Sequence, residues 1–319
     1  MLEKDKEPLV SIIVITYNSA KYVLDTLESA KAQTYKNIEL IISDDCSTDN
    51  TVEICKKWLN ENKDRFVSSK LVTTNANTGI PANINRGLHA AKGEWFKTIA
   101  GDDILHKECI FLYVNFVLSN PEVKVVTANC QVFINTFSKE NFTEIKNFSE
   151  FYGYKSNITA QDQHKIFLRR CPVNSCTMFY NAKVIMDNNG CDERFRWFED
   201  HPLYLKLTKN GTKIFYLNKV TVYYRLHNSS VYSSVNSKQI FNDFYLKSRK
   251  FELEYLYPEI SFSERIYKDL TFFKLRFFDI MGMNKNKFLF NFLYFGINKL
   301  NPFKFFRNKL SRKKIKNNK

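Results

Sequence analysis

The sequence predicts an α/β protein: a mostly parallel central sheet with helices on both faces, followed by a mainly helical C-terminal extension. Three observations carry this. Up to Ala100, short runs of β-branched and aliphatic residues alternate with stretches of helical spacing. The runs are continuously apolar instead of alternating, as in strands buried on both faces. Two of them end abruptly in a pair of carboxylates. Polar residues just beyond strand ends are where open α/β sheets bind their ligands.

In chain order, Val10 to Thr16 (VSIIVIT) reads as a buried strand and Tyr22 to Ala32 as a helix. Ile38 to Ser43 (IELIIS) is a second strand, stopped by Asp44 and Asp45. A helix over Asn50 to Leu59, a strand over Phe66 to Thr73 and a helix over Pro81 to Ala91 follow. Trp95 to Ala100 (WFKTIA) is a further strand, and the carboxylates Asp102 and Asp103 lie just past it. Beyond Lys124 the periodicity is mixed. Strands are expected at Val125 to Ala128 and Cys176 to Tyr180, separated by an Asn- and Phe-rich stretch reaching Tyr154. Pro202 to Lys209 reads as a helix stopped by Asn210-Gly211. Strands at Ile214 to Leu217 and Val220 to Arg225 precede helices from Lys238 onward.

Charge is distributed unevenly. Of the net +15, eleven bases lie beyond Asp279 with no acid among them, leaving +4 for everything before. A nearly neutral body with a basic, aromatic tail argues for a local electrostatic contact and against a surface that coats nucleic acid. Seven cysteines without a C-x-x-C pair fit free thiols in a reducing compartment. The opening MLEKDKEPLV lacks an apolar signal segment, and Phe288 to Ile297 is too short to span a bilayer, which takes about 20 residues. The expectation is a cytoplasmic protein.

Four groups could carry chemistry. Asp44 and Asp45 could accept hydrogen bonds from a nucleobase or ribose; loop closure, with Asp49 capping the next helix, is an equally good account. Asp102 and Asp103, preceded by Gly101, suit a hard divalent cation and a diphosphate. Glu199 and Asp200 open a predicted helix, where they serve either as N-terminal caps or as a general base. His227 follows a strand, and becomes a metal or phosphate contact only if the fold brings it to Asp102 and Asp103.

The segments SIIVITYNSAKYVLDTLESAKAQTYKNIELIISDDCSTDNT, NTGIPANINRGLHAAKGEWFKTIAGDDIL and FEDHPLYLKLTKNG occur in this order. Together they resemble the family 2 glycosyltransferases of the Rossmann-like GT-A fold, over roughly the first 230 residues. The resemblance implies Asp45, with Asp44 beside it, as the uridine contact, and Thr16 and Asn18 near the same pocket. The family's D-x-D-D metal motif reads Ala100, Gly101, Asp102, Asp103 here, so its first acid is missing. Asp102 and Asp103 remain the implied metal and diphosphate ligands. Asn85 matches the family's second Asn. The Arg often found just before it is Ile84 here, so its donor contact is either absent or supplied by Arg86. Asp200, with Glu199, is implied as the catalytic base, and His227 as a late metal or diphosphate contact.

The resemblance therefore implies an inverting transferase using Mn²⁺ or Mg²⁺. It would move a sugar from a nucleotide-sugar donor, most simply a UDP-sugar, to a saccharide hydroxyl. Residues 1–235 would form the catalytic domain and 236–319 the aromatic, basic extension. In the latter Asn284, Asn291 and Asn298 share a helical face while Phe and Leu cover most of the rest. Such a segment can lie at a membrane interface, its bases drawn to anionic lipid. This suggests a lipid-linked acceptor in polysaccharide, O-antigen or capsule biosynthesis, reached from the inner face of the cell membrane. Packing of the aromatics onto the catalytic domain is the alternative. The competing functions are an inactive relative, or a non-catalytic membrane- or nucleic-acid-binding protein using the tail. The loop TYNSAKY after the first strand has no glycine, which argues against a dinucleotide site.

Overall fold

The structure, a computed structural model, describes residues 7–148, 158–227 and 248–281. The chain divides into two compact units, Met1–His227 and Asn228–Lys319.

The first unit is built on a nine-stranded sheet of order β3-β2-β1-β4-β8-β6-β9-β5, with β7 added on β6. Its donor-side block comprises β1 (Val10–Thr16), β2 (Ile38–Asp44), β3 (Ser68–Val72) and β4 (Trp95–Ala100), all parallel. Ile12, Ile13 and Val14 are wholly buried, as are Leu40 and Ile42. The strands form because such β-branched runs fit a pleated surface covered on both faces. In this block β1 runs between β2 and β4. Thr16 pairs with Asp44, and Ile15 with Ala100. Both carboxylate pairs therefore lie along one sheet edge, as the strand-end pattern predicts.

The helices α1 (Val23–Lys31), α2 (Thr51–Asn62) and α3 (Ile80–Ala90) connect these strands. Polar groups of α1 brace the turn beyond β4: Thr26 Oγ1 donates to the Asp103 carbonyl at 2.7 Å, and Ser29 Oγ accepts from Leu105 N–H at 3.1 Å. Pro81 sits in the first turn of α3, where its missing N–H costs nothing.

The second half departs from the expected boundaries. After β5 (Ile104–Leu105), α4 (Cys109–Ser119) occupies a stretch in which the sequence showed no helical period. It is apolar nearly all round, so its pattern is that of a helix pressed into the core. Strand β6 runs over Val125–Ile134 and pairs with β7 (Phe142–Lys146). Helix α5 (Ala160–Phe167) opens with a capping box between Thr159 and Asp162. The strand expected at Cys176 to Tyr180 is a 3₁₀ turn (Ser175–Thr177) followed by a three-residue strand, β8 (Phe179–Asn181), antiparallel to both β4 and β6. Helices α6 (Ala182–Asp187) and α7 (Asp200–Lys209) follow. The two final predicted strands are one, β9 (Ile214–Leu226), parallel to β6 with a register shift around Asn129. Asn218 and Lys219 mark that irregularity, and on sequence alone they look like a turn.

The second unit is helical where described. A π-helical turn (Glu252–Leu256) leads to α8 (Phe262–Ile280), capped by Ser261 and Glu264. Arg249 bonds Asp269 and Tyr257, closing a small polar cluster. The Asn284, Asn291 and Asn298 face and the basic run lie outside the described residues. Among the described residues no helix is long and apolar enough to cross a membrane.

Candidate active site

The pocket at the end of β2 is organised around Asp45. It is 2% exposed and accepts five hydrogen bonds. They come from the Thr78 N–H (3.0 Å to each oxygen), the Thr78 hydroxyl (2.5 Å), the Gly79 N–H (2.7 Å) and Arg86 Nη2 (3.1 Å). Burial pushes its pKa up, but the hydrogen bonds from Thr78, Gly79 and Arg86 outweigh it and hold the carboxyl below its ordinary value. Gly79 has φ +97°, in the left-handed region, so its N–H can turn onto Asp45 where a side chain would be strained.

Arg86 lies beside Asp45, its guanidinium bonded to neighbouring groups of the chain. Its Nη1 bonds Asn83 Oδ1 (2.9 Å) and the Asp44 carbonyl (3.3 Å), while Nη2 takes the Thr78 hydroxyl (2.7 Å) as well as Asp45. Asp44, by contrast, is used to fold the loop. Thr16 Oγ1 (2.7 Å), Ser47 N–H (2.8 Å) and Ser47 Oγ (2.5 Å) all donate to it. Asn18, at φ +51°, clasps the same loop through Ser47 and Thr48. Loop closure thus describes Asp44, while Asp45 faces the start of α3.

The second pair divides in the same way. Asp102 keeps 28% of its side chain exposed, and His227 Nε2 lies 2.9 Å from its Oδ2. The fold does bring these two together. Asp103, expected beside Asp102 as a ligand, is 1% exposed and accepts the Arg225 N–H at 2.8 Å. Burial and then the neighbouring Asp102 push its pKa well above the ordinary carboxylate value.

Arg225 is a structural residue that sequence reasoning left without a role of its own. Nε bonds the Asp102 carbonyl (2.8 Å), Nη1 the Asn135 carbonyl (2.9 Å) and Nη2 Asp25 (2.6 Å). Its guanidinium lies 4.3 Å from the ring centroids of both Tyr22 and Phe137. A lone base in the apolar strand VTVYYRL was the available signal, since a buried guanidinium needs partners for its donors. Lys97, wholly buried in β4 and bonded to the Cys176 and Thr98 carbonyls, carries the same signal.

The third pair opens α7. Glu199 and Asp200 are partly buried. Burial, then the adjacent Asp200, raises Glu199 to about 8. Asp200 is also raised by burial, while its Oδ1 accepts the His201 N–H at 2.6 Å. Burial thus favours the protonated form of both acids, while Asp200 keeps the His201 N–H at the helix N-terminus. Asn85, expected at the nucleotide, instead has both amide N–H groups on the loop before α7: one on the Cys191 carbonyl (2.9 Å), one on Glu193 (2.8 Å).

Acids gather at the carboxyl edge of the parallel block, and a third acid pair opens a later helix, the arrangement that the sequence resemblance implies for the GT-A fold. The comparisons agree. The sequence profile of glycosyl transferase family 2 matches residues 11–183, and the chain belongs to that family. It is a glycosyltransferase. It is 31% identical over 226 residues, 70% of this chain and 79% of the relative, to the Escherichia coli UDP-Glc:α-D-GlcNAc-diphosphoundecaprenol β-1,3-glucosyltransferase WfaP. An uncharacterized glycosyltransferase of Haemophilus influenzae is 24% identical across 90% of this chain and 85% of its own. Among solved structures, Staphylococcus aureus TarS 1-349 in complex with UDP-GlcNAc is similar with a TM-score of 0.57 and 26% identity. That likeness covers 77% of this chain and 66% of the TarS fragment.

Proposed function

We propose that this protein is an inverting transferase that moves a sugar from a UDP-sugar to a hydroxyl of a saccharide acceptor. The observation that carries the reading is the opposite tuning of its acids. Hydrogen bonds hold the Asp45 carboxyl below its ordinary value at the start of α3, whereas at the start of α7 burial raises Glu199 to about 8 and raises Asp200 as well. In this reading Asp45, kept in place by Arg86, faces the uracil imide. Asp200 removes the proton of the acceptor hydroxyl as it attacks the anomeric carbon opposite the nucleotide. Direct displacement of this kind inverts the centre without a covalent enzyme intermediate.

Asp102 and His227 are the residues that fit a divalent cation, Mn²⁺ or Mg²⁺. Asp102 is accessible and His227 already contacts it, whereas Asp103 is used by Arg225 and Ala100 offers no oxygen. Among the described residues no group of three or more His, Cys, Asp or Glu forms a complete cage, so the donor's diphosphate oxygens would complete the shell. Bound there, the cation would supply positive charge to the departing diphosphate.

The donor class is supported by TarS with its bound UDP-GlcNAc and by the named donor of WfaP. WfaP is named for a diphosphoundecaprenol acceptor and TarS for poly(ribitol-phosphate). The first supports a lipid-linked acceptor and the second a polymer acceptor, and in this reading the acceptor is lipid-linked and met at the membrane. We assign catalysis to residues 1–235 and contact with the inner membrane surface to the basic, aromatic region 236–319.

A thermal-shift and calorimetry screen tests this reading with UDP, UDP-sugars and GDP-mannose, each with and without Mn²⁺ or Mg²⁺. Stabilisation by UDP and a subset of UDP-sugars, strengthened by metal, is expected. Folded protein that responds to none of them would overturn the assignment.

A further inference from the structure

We propose that Asn85 and Arg196 are positioning residues for the catalytic base, clasping the segment that leads into α7 onto the loop that holds Asp45. This rests on the assignment of Asp200 as the base.

The segment between α6 and α7 is gripped at two points from the donor side. At the first, Asn85 of α3 presents its side-chain amide to the backbone of Cys191. Its Oδ1 accepts the Cys191 N–H at 2.9 Å and its Nδ2 donates to the Cys191 carbonyl at 2.9 Å, as one strand residue pairs with another. The second Nδ2 hydrogen goes to Glu193 at 2.8 Å. The approach is so close that a Cβ on Gly190, which has φ +59°, would lie 2.5 Å from Asn85 Oδ1. An aspartate cannot donate to the carbonyl, and a glutamine would push one methylene further into the turn.

At the second point, the exposed Arg196 reaches across to the Asp45 loop. Its Nη2 donates to the Asn77 carbonyl (2.6 Å) and to Asn77 Oδ1 (2.7 Å), and its own carbonyl accepts the Ile80 N–H at 3.1 Å. Gly79 again permits the contact, since a Cβ there would lie 2.8 Å from Arg196 Cβ. Asn77 to Gly79 is the loop whose N–H groups converge on Asp45.

Helix α7 holds the same turn from its other side. Lys206 Nζ donates to the Asn188 carbonyl (3.0 Å) and the Gly190 carbonyl (2.5 Å), and Asn210 Nδ2 donates to Asn188 Oδ1 (2.7 Å). One turn is therefore shared by α3, which begins at the base pocket, and α7, which begins at Asp200. Three residues separate Arg196 from Asp200. The clasp fixes where the helix carrying the base starts relative to the donor loop. A displacement of about 1 Å there is enough to slow a displacement reaction on the order of a hundredfold. With both amide hydrogens engaged inside the protein, Asn85 serves the reaction through Asp200 and not by touching the nucleotide.

The test uses the full chain carrying Asn85→Ala, Arg196→Ala or Arg196→Lys, with Asp200→Asn in parallel. UDP affinity in the presence of Mn²⁺ is read by calorimetry, transfer by UDP release from UDP-Glc or UDP-GlcNAc, and folding by thermal melts. We expect turnover to fall about 10- to 100-fold in Asn85→Ala and about 5- to 10-fold in Arg196→Ala, with UDP affinity within about threefold of wild type. Arg196→Lys, which keeps one donor for Asn77, should recover part of the loss. Because Arg196 is exposed, its variants should melt with the wild type, so their result stands even if Asn85→Ala fails to fold. Unchanged turnover in Arg196→Ala, or a loss of UDP affinity equal to the loss of turnover, would overturn the clasp. Full turnover in Asp200→Asn would instead remove the base assignment itself.

Discussion

The acids after β2 and those at the start of α7 are treated in opposite ways. At Asp45 the protein surrounds a buried acid with N–H, O–H and guanidinium donors, and its ionisation is fixed. At Glu199 and Asp200 burial dominates over the hydrogen bonds, and both carboxyls are pushed up. A binding contact has to stay charged throughout the cycle, whereas a base has to change its protonation within it. The same residue types serve both ends because their surroundings, not their identity, set the proton affinity.

The hardest blow to this contrast is Asp200→Asn. Transfer should fall by about 10³-fold or more while UDP affinity, measured by calorimetry, changes less than about threefold. In the unmodified enzyme the acid limb of the kcat profile should lie above the ordinary carboxylate range of about 4, because Asp200 titrates high. Asp45→Ala should give the opposite pattern. It strands Arg86 and the Thr78 and Gly79 N–H groups, so UDP should bind about 10- to 100-fold more weakly.

A finer comparison sets Asp102→Asn against Asp103→Asn. The first removes the accessible oxygen charge facing His227 and should cut turnover about tenfold or more, with the melting temperature little changed. The second replaces a buried acid whose pKa is raised, so its turnover should stay within about threefold. The smallest effect belongs to Glu199→Gln. The folded state holds the Glu199 proton up to about pH 8, whereas the unfolded chain releases it near pH 4.5. The stability this contributes is present below the unfolded value and is lost as pH rises towards the folded one. Glu199→Gln should remove that loss, so thermal melts should show the variant gaining on the wild type between those pH values.

The donor half was readable because its strands are buried on both faces, and continuous runs such as IELIIS carry that information locally. Strand–helix alternation implies parallel strands, and parallel direction alone sends both strand-end pairs to one edge. Individual roles within each pair were not readable. Asp44 and Asp45 are adjacent and chemically equal, and only Thr16 and Ser47 on one side, Thr78 and Arg86 on the other, separate them. The motif resemblance sent Asn85 to the nucleotide, because nothing local to α3 foretells that Cys191, far along the chain, will meet its amide. Helix α4 escaped notice for the reverse reason: CIFLYVNFVLS is apolar on too many sides to show a period.

Strand β8 joins the two halves of the sheet through very few residues, pairing Trp95 and Phe96 of β4 on one side and Val125 and Val126 of β6 on the other. The four parallel strands that carry Asp45 and Asp102 are all encoded before residue 101, and the joining strand is made only after residue 178. On the ribosome, then, the base pocket's strands have emerged long before the segment that completes their free edge. The open edge of β4 is a place where a nascent chain is vulnerable to pairing with the wrong strand. Lys97, in the middle of β4, is wholly buried in the finished fold, where its ammonium meets the Cys176 carbonyl just ahead of that joining strand.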